Sequence, residues 1–444
     1  MSFINSPSRR IPVIAKKEVL VLGGGPSGVA AAVAAAREGA NVGLVERYGH
    51  LGGMATGGLV IILMRYDFKG EQIYFGIPEE IRGRLTNLGG GFGPAKSTWG
   101  SKDPKLIEYW KEWGATQHRL EEDPYRWADT EVRNRIASDP ELLKYVFNEL
   151  VVETGVELLL HSWISSVIKE GETVKGVIIE NKSGSQAILG KVLVDATGDG
   201  DIMAWANAEF ARGDRPFALA FRVGNVDIPK ARAYIREKRE EYLLKMQELK
   251  RENGFWQERF FNAVNPNVIL FFNMFPNRNP LDVKDLTAVE IEGRKKIVAT
   301  VNFYKKNIPG FERSFLLDTA SQIGIRESRK LLGEYVISKD DVKNQRKFDD
   351  VVAKGISYID YDIIFDIPYR SLLPRKIDNL LVTGRALSMD HDAFTLTQAL
   401  IVQCFATGEA AGTAAAISAK EKVSPRIVDV SLIQKRLKEK GIVL

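Results

Sequence analysis

The first apolar segments of the chain indicate a strand, a helix and a second strand in close succession. Residues 18–22 form a short apolar run typical of a buried strand, and residues 27–38 form an alanine-rich helical segment that ends at Gly39. Residues 41–46 form a second apolar run. A unit of this size and order predicts two parallel strands joined by a helix.

Further helices and strands follow as the apolar period changes. Helices are predicted over residues 79–88 and 140–154, and residues 138–141 form a capping sequence for the second. The glycines within 89–93 indicate a helix C-cap and a loop. Four short apolar runs then predict a β-meander whose last strand returns to the main sheet: 156–160, 164–168, 174–179 and 192–195.

The pattern changes again between residues 217 and 366, where strand-like runs lie beside two long charged helices. A solvated face over an apolar stripe explains such helices better than a partner-binding surface. After this region the chain is predicted to return to the first sheet and to end in a helix of small residues. The predicted elements are strands 217–223, 268–275 and 380–383, and helices 229–252, 286–306 and 395–419.

Composition narrows the class of protein. A chain of 444 residues exceeds the usual size of one hydrophobic core, so two domains are expected. The 62 basic and 57 acidic residues interleave along the chain, which gives no indication of a nucleic-acid partner. One cysteine excludes an internal disulfide and suits a reducing, cytoplasmic setting. The four histidines lack ligand spacing, so no metal site is predicted.

The segment VLGGGPSG at residues 21–28 carries the clearest chemical signal. In this G-x-G-x-x-G pattern Gly23 allows a tight turn, Gly25 lets backbone amides approach a diphosphate, and Gly28 lets the helix pack closely on the sheet. Glu46 lies 18 residues beyond Gly28 at the end of the second strand, where a carboxylate accepts hydrogen bonds from ribose hydroxyls. The carboxylate of Glu46 favours a cofactor with an unphosphorylated ribose, such as FAD or NAD, over NADP.

Several glycine-containing segments farther along the chain favour FAD over NAD. Together they resemble the FAD-dependent oxidoreductases of the glutathione-reductase structural class, and in particular the broad group that carries LGG-x-x-TGG in its N-terminal half and GR-x-x-S in its C-terminal half. The segments are LGGMATGG (51–58), DATGDGD (195–201), TGRALS (383–388) and GEAAGTAAA (408–416).

The resemblance implies a set of cofactor contacts from the ends of successive strands. It places the FAD diphosphate and adenosine against Gly23, Gly25, Pro26, Ser27, Gly28, Glu46, Arg47 and Ile164. It places the flavin side of the cofactor along Gly52, Gly53, Met54, Ala55 and Thr56. It places the diphosphate or the ribityl chain near Ala196, Thr197, Gly198, Asp199, Gly384 and Arg385. The start of the final helix, with Thr397 and Ala399, is expected at the flavin ring, where the helix dipole favours negative charge.

Candidate catalytic residues also follow from the resemblance. His391 matches a histidine common in the family and could exchange a proton near flavin N5, although a structural role is an equal alternative. Gln398 stands where relatives often carry arginine and offers only a neutral amide, which weakens the case for a carboxylate clamp there. Arg326 and Arg329 are candidates for binding an anionic substrate group, and Tyr369 for donating a hydrogen bond to substrate; salt bridges and packing are the alternatives.

The expected fold class is α/β: a Rossmann-like FAD-binding domain with a β-meander, and an inserted α+β substrate or cap domain. The FAD-binding domain is expected in three parts, residues 1–88, 135–215 and 370–444. Residues 89–134 form a loop or cap segment and residues 216–369 the substrate or cap domain.

The expected function is hydride exchange between flavin N5 of FAD and a small-molecule substrate bound between the two domains. A flavin monooxygenase that uses external NAD(P)H and a non-enzymatic FAD-bearing electron relay are the alternatives. The expected partner is a small molecule, with no nucleic acid and no membrane; assembly as a homo-oligomer is left open.

Overall fold

The computed structural model describes residues 4, 10–114, 131–254, 261–360 and 362–444, and all statements below concern these residues. Their helices are α1 (Pro26–Arg37), α2 (Ile77–Asn87), α3 (Pro104–Gly114), α4 (Pro140–Glu153), α5 (Asp201–Trp205), α6 (Ile228–Glu237), α7 (Arg239–Asn253), α8 (Val283–Asn307), α9 (Lys339–Lys343), α10 (His391–Thr397), α11 (Ile401–Glu421) and α12 (Val430–Glu439). Their strands are β1 (Val13–Leu22), β2 (Val42–Val45), β3 (Ile62–Met64), β4 (Asp67–Phe68), β5 (Glu71–Gln72), β6 (Gly91–Phe92), β7 (Arg135–Ser138), β8 (Glu157–Leu159), β9 (Trp163–Glu170), β10 (Thr173–Asn181), β11 (Gly184–Asp195), β12 (Phe210–Arg212), β13 (Phe217–Gly224), β14 (Phe261–Asn262), β15 (Ile269–Phe275), β16 (Phe315–Thr319), β17 (Arg329–Leu331), β18 (Val351–Ile356), β19 (Ile364–Pro368) and β20 (Leu380–Val382).

The main sheet has the order β8-β2-β1-β11-β10-β9, with β20 also paired to β11. Five of its strands are parallel, namely β8, β2, β1, β11 and β20. The unit β1-α1-β2 confirms the strand, helix and strand predicted from the first apolar runs, and the whole arrangement is the predicted α/β, Rossmann-like fold.

Alternate residues of β1 enter two different cores, as the two-residue period of a strand requires. Val19 and Val21 pack in the cluster that contains α1, α4 and α11. Leu20 and Leu22 pack in a second cluster with apolar residues of β10 and β11. The sheet is therefore covered by helices on one face and by the meander on the other.

Strand β11 differs from the sequence prediction, which recognised only its last four residues. Its first half pairs antiparallel with β10, and residues from Ala187 to Asp195 pair parallel with β1. Its last residues also pair with β20. The side chain of Asn379 fills the interval between β10 and β20 by bonding the backbone of Val174 and Lys191. The meander and the parallel sheet thus share one strand.

Helices α1 and α11 lie in close contact because two glycines of α11 face α1. A Cβ atom at Gly412 would lie 2.1 Å from the carbonyl oxygen of Ala31, and one at Gly408 would lie 2.2 Å from that of Ser27. Only the absence of a side chain permits this approach. The small residues predicted for the last helix therefore serve packing against the first.

A second sheet, β14-β15-β13-β16, is antiparallel and packs against α6, α7 and α8. Its apolar side chains form a core of their own, to which Leu59 and Ile61 also contribute. The sequence predicted one helix where the structure has α6 and α7, since Lys238 leaves helical geometry at φ −121° and ψ 41°. The residues on both sides of Lys238 are mostly polar and typical of a helix, so the sequence pattern runs on without interruption. The hydrophobic period therefore gave no sign of the break.

No single helix of the described residues is long and apolar enough to cross a membrane. The pair α10 and α11 passes the same test together, by length and composition only, with a bend of 117° between them.

Replacing Gly412 with alanine tests the packing of α11 on α1. The added Cβ would meet a backbone oxygen that cannot move away alone, so we expect Gly412→Ala to lower the free energy of unfolding by about 1–3 kcal/mol. The measurement is the midpoint of urea denaturation. Gly83→Ala in α2 is the matched control, since a Cβ there meets nothing within 4 Å. Equal midpoints for Gly412→Ala and the wild type would contradict the packing argument.

The buried carboxyl of Glu409 on α11 predicts a pH effect on stability. Its Oε2 accepts a hydrogen bond of 2.9 Å from Ile77 N at the start of α2, and burial raises its pKa to about 7. Between about pH 4.3, where the unfolded chain loses this proton, and about pH 7, the native state binds more protons, so stability falls as pH rises. Glu409→Gln should abolish the loss of unfolding free energy that this carboxyl causes over that pH range, on the order of 3 kcal/mol. The measurement is the urea midpoint of the wild type and of Glu409→Gln at about pH 4 and about pH 8. The same pH dependence in both proteins would contradict this prediction.

Candidate functional site

Loops from four adjacent parallel strands meet at one edge of the main sheet. Gly23 N donates to Val45 O at 2.8 Å and Ala196 N donates to Leu22 O at 2.9 Å, so the loops after β1, β2 and β11 are in register. Thr383 follows β20 at the same edge. In open α/β sheets, ligands bind at the carboxyl ends of the strands, and this edge holds most of the residues that the sequence selected.

The glycine loop leaves the start of α1 open. Helix α1 has Gly25 at its N-cap and Pro26 as its first residue, and no side chain caps it. A Cβ at Gly25 would have no neighbour within 4 Å, whereas one at Gly28 would lie 1.8 Å from the oxygen of Gly23. One glycine therefore serves internal packing and the other borders empty space, as the sequence predicted for a diphosphate.

The carboxylate of Glu46 joins the end of β2 to the glycine loop. Its Oε2 accepts from Gly24 N at 2.6 Å and its Oε1 accepts from Tyr48 N at 2.9 Å, and the residue is only 7% exposed. A carboxylate oxygen has two acceptor positions, so each oxygen retains capacity for one more donor. Ribose hydroxyls supply donors of this kind.

The segment after Glu46 passes over the same loop. Gly52 N donates to Gly24 O at 2.8 Å, and a Cβ at Gly53 would lie 3.1 Å from the Cα of Gly25. Gly53, Met54 and Ala55 form a short 3-10 turn. The hydroxyl of Thr56 closes it by donating to Leu51 O at 2.6 Å.

Asp195, at the end of β11, shapes the next loop from inside the core. Its carboxylate accepts from the amide and hydroxyl of Thr197 and from Met203 N, at 2.7–3.0 Å. Burial raises the pKa of this carboxyl to about 6. Asp195 belongs to the DATGDGD motif, which by itself indicates no role for it. A strand that ends in an acidic residue before a glycine turn is the sequence signal for this role.

Asp199 and Arg385 form a buried ion pair between the loops after β11 and β20. Arg385 donates to Asp199 Oδ1 at 2.6 Å and to Gly198 O at 2.9 Å, and the hydroxyl of Ser328 also donates to Asp199 Oδ1. Burial alone would raise the pKa of Asp199, but the Arg385 charge and these hydrogen bonds outweigh it and hold it below its usual value. Gly384 lies against Ser27 of the glycine loop.

Arg329 belongs to the same network of ion pairs. It donates to Asp201 Oδ1 at 2.8 Å and to Asp199 O at 3.1 Å. Its guanidinium therefore already has acceptors within the chain. The prediction that Arg329 could bind an anionic substrate group does not fit this placement, and the ion-pair alternative does.

Ile164 and Arg47 lie on the far side of Glu46. Ile164 is a partly buried residue of β9 and packs on the meander core. The guanidinium of Arg47 lies 5.0 Å from the centre of the Tyr48 ring and 5.3 Å from that of Trp163, within cation–π range. Trp163 and Tyr48 were not selected from the sequence, because only the folded meander brings Trp163 to this place.

The break between α10 and α11 lies at the residues predicted for the start of the last helix. Gln398 and Ala399 both have left-handed backbone angles, with φ of 57° and 46°. Left-handed geometry in two successive residues with side chains costs about 1–3 kcal/mol each and is typical of functional sites. Helix α11 then begins at Ile401 without a side-chain cap, so its first amides remain for a ligand. Thr397, just before the break, is fully buried.

His391, the first residue of α10, contacts a buried carboxylate. Its Nδ1 lies 3.1 Å from Oε2 of Glu327, and half of its side chain is exposed. Nδ1 hydrogen-bonds Oε1 of the same carboxylate at 3.3 Å, and Lys330, also buried, donates to that oxygen too. An ionised carboxylate only accepts hydrogen bonds, so in the neutral ring a donating Nδ1 leaves Nε2 as an acceptor. The sequence gave no signal for Glu327 or Lys330.

The same carboxylate takes part in a cluster that the sequence did not predict. Asp214, Glu327 and His391 each offer one possible metal-ligand atom, all within 4.8 Å of one another. Lys330 already compensates the charge of Glu327, so a divalent cation here would lie beside a buried ammonium group. This arrangement suits the orientation of an imidazole better than it suits metal binding.

Two other candidates are enclosed by the protein. Tyr369 is buried, and its hydroxyl donates to Pro425 O at 2.8 Å, so the prediction that it donates to substrate does not fit its position. Cys404 is buried in α11 with its thiol directed to Ala399 O, and burial raises its pKa to about 12. A thiol so far from ionisation fits the packing role expected for it.

These observations agree with the demands of an FAD molecule. The uncapped α1 with open space at Gly25 suits a diphosphate, and the spare acceptor positions of Glu46 suit a ribose. The uncapped start of α11 suits the electron-rich edge of a flavin. The residues present therefore fit the cofactor.

Glu46→Gln tests the ribose contact. The neutral amide loses the charge-assisted hydrogen bonds, so the dissociation constant of FAD should rise about 10- to 100-fold. The measurement is titration of flavin-free protein with FAD, followed by flavin fluorescence. The control is Glu157→Gln in the same sheet, whose exposed side chain pairs with Lys17. The assignment fails if both variants bind FAD as the wild type does.

No curated protein matches the chain. Solved structures that align with it include a geranylgeranyl bacteriochlorophyll reductase-like protein from Thermoplasma acidophilum (16% identity, 96% of this chain and 84% of that one, TM-score 0.47). They also include p-nitrophenol 4-monooxygenase PnpA from Pseudomonas putida (11% identity, 96% of this chain and 85% of that one, TM-score 0.49). A third is the myxobacterial chondrochloren halogenase CndH (13% identity, 95% of this chain and 78% of that one, TM-score 0.42).

The family assignment comes from a match along almost the whole chain. The model of the family described as FAD dependent oxidoreductase matches residues 18–437, which include the glycine loop, Glu46 and the α10–α11 break. This chain therefore belongs to the FAD-dependent oxidoreductase family, and it is an enzyme whose cofactor is FAD.

Proposed function

We propose that the enzyme exchanges a hydride between a small-molecule substrate and FAD, with His391 as the group that accepts or donates the accompanying proton. The contact between His391 and the buried Glu327 carries this proposal. FAD supplies a flavin N5 that accepts or releases a hydride. The protein must supply the binding groups, the proton and a dry site.

His391 is suited to proton exchange by its surroundings. The carboxylate of Glu327 accepts from Nδ1 and keeps the ring in the tautomer that leaves Nε2 unprotonated. The exposed half of the side chain provides access for substrate. Proton transfer by a positioned side chain contributes about 10²–10⁴-fold to a rate.

The α10–α11 break supports the same chemistry. The N-terminus of a 21-residue helix carries a partial positive charge, and the break directs it away from α10 at 117°. Amides at Ile401 and the residues just before it would stabilise negative charge on the reduced cofactor. Gln398 and Ala399 position these amides through their left-handed geometry.

We also propose that the enzyme belongs to the glutathione-reductase structural class and that its chain divides into two domains. The β9-β10-β11 meander beside a parallel sheet supports the glutathione-reductase structural class. The separate core of the β13–β16 sheet supports a substrate or cap domain within residues 216–369, beside an FAD-binding domain of residues 1–88, 135–215 and 370–444. Apolar residues between Ile337 and Tyr369 pack instead in the cluster that contains α1 and α11. The partner we propose is a small-molecule substrate.

Anaerobic reduction tests the proposed reaction. The purified holoenzyme would be mixed with single alcohols, amines and hydroxy acids in the absence of oxygen, and loss of the visible flavin absorption would be recorded. Bleaching by one of these compounds without NAD(P)H is the expected result. A requirement for NAD(P)H and oxygen would favour a monooxygenase, and reduction by a protein donor alone would favour an electron relay; either would overturn the proposal.

His391→Asn separates catalysis from cofactor binding. Loss of the imidazole should slow flavin reduction by about 10²–10⁴-fold and leave FAD content unchanged. Asp392→Asn is the control, because Asp392 is exposed in the same helical turn and pairs with Lys339. An unchanged rate in His391→Asn would exclude the proposed proton transfer.

A further inference from the structure

Two arginines lie on neighbouring backbone segments beside the His391 cluster. Strands β12 and β17 pair antiparallel with Arg212 opposite Arg329, and a second pairing point joins Ala218 to Gly324. Between these two points the segments containing Arg215 and Arg326 run side by side. Their charges are close enough to affect one another.

Neither guanidinium has a hydrogen bond or an ion pair with the described part of the chain, although both side chains are partly buried. Arginines nearby are paired: Arg222 with Asp318 and Arg329 with Asp201. Burial lowers the pKa of Arg326, and the charge of Arg215 lowers it further, against an opposing effect of Tyr358. An anion at this place would accept from N–H donors that the described part of the chain leaves unpaired.

The charges around the two arginines set the charge of such an anion. Arg215, Arg326 and Lys330 carry positive charge, and Asp214, Glu327 and Asp390 carry negative charge. The three carboxylates repel a phosphate dianion more strongly than a monoanion, so a singly charged anion suits the two arginines better.

We propose that Arg215 and Arg326 bind the carboxylate of a monoanionic substrate, so that the enzyme acts on a small carboxylic acid. Two planar guanidinium groups match the planar carboxylate through paired N–H donors. This inference rests on the proposed function, since it names the substrate class of the same site.

The position of the subsite relates the anion to the proton-transfer group. Glu327 follows Arg326 directly and contacts His391. Tyr358, which interacts electrostatically with Arg326, donates its backbone amide to Leu396 O in the helix that begins at His391. A short acid held by its carboxylate at the arginines therefore has its adjoining carbons within the His391 cluster.

Calorimetric titration of the holoenzyme tests the subsite without turnover. The probes are acetate, propionate and benzoate, each against its neutral amide, with inorganic phosphate as a further arm. At least one carboxylate should bind, and its amide should bind at least about tenfold more weakly. Arg326→Gln and Arg215→Gln should each weaken carboxylate binding by about tenfold or more. Arg212→Gln, a neighbouring arginine in β12, is the control and should bind as the wild type does.

Thermal unfolding of the variants distinguishes ligand binding from a structural role of the arginines, because loss of a structural residue would lower the unfolding temperature. Because Arg326 has no partner to lose among the residues that the structure describes, Arg326→Gln should keep its FAD and unfold at the same temperature or higher. A lower unfolding temperature with loss of FAD would overturn the proposal, as would the absence of carboxylate binding or tighter Arg326-dependent binding of phosphate.

The binding test of the arginine subsite and the reduction test of the proposed reaction can fail independently. Arginine-dependent carboxylate binding in a protein that no probe reduces would preserve the subsite and refute hydride exchange. Reduction by a neutral substrate at the same rate in Arg326→Gln would preserve hydride exchange and refute the subsite.

Discussion

The bond from Gly24 N to the Glu46 carboxylate is the constraint on which the cofactor edge depends. It fixes the glycine loop to the end of β2, while Gly28 presses the start of α1 against the same loop. Asp195 does similar work on the loop after β11. Two buried carboxylates thus hold backbone amides in place from below and leave the outer side of each loop for the ligand. Preorganisation of this kind lowers the entropy that binding must overcome.

The site connects two parts of the molecule through one short stretch of chain. Glu327, Ser328 and Arg329 follow each other, and they contact His391, Asp199 and Asp201 respectively. The proton-transfer group and the cofactor loop are therefore held by adjacent residues. A shift of this stretch would move both at once, so their relative positions are protected even if the surrounding loops adjust.

Sequence patterns predicted the parts of this enzyme that depend on local order. The glycine loop, Glu46, most of the meander and the helices α4 and α8 followed from spacing, period and capping. The break at Gln398 and Ala399 did not, because neither residue prefers left-handed geometry and the surrounding pattern stays helical. The proximity of Arg215 to Arg326 was also invisible, since strand register decides it and apolar periodicity does not report register between distant segments. Lys330 lies only three residues after Glu327, but no sequence pattern indicated that this ion pair would be buried.

Strand β11 has a consequence for the modularity of the enzyme. Its first half completes the meander with β10, and the same strand lies between β1 and β20 in the parallel sheet. Excising the meander would remove an interior strand and expose the edge of β1, so the meander cannot be exchanged between relatives as a cassette. Insertions in the loops or in the second sheet, by contrast, leave the shared strand intact.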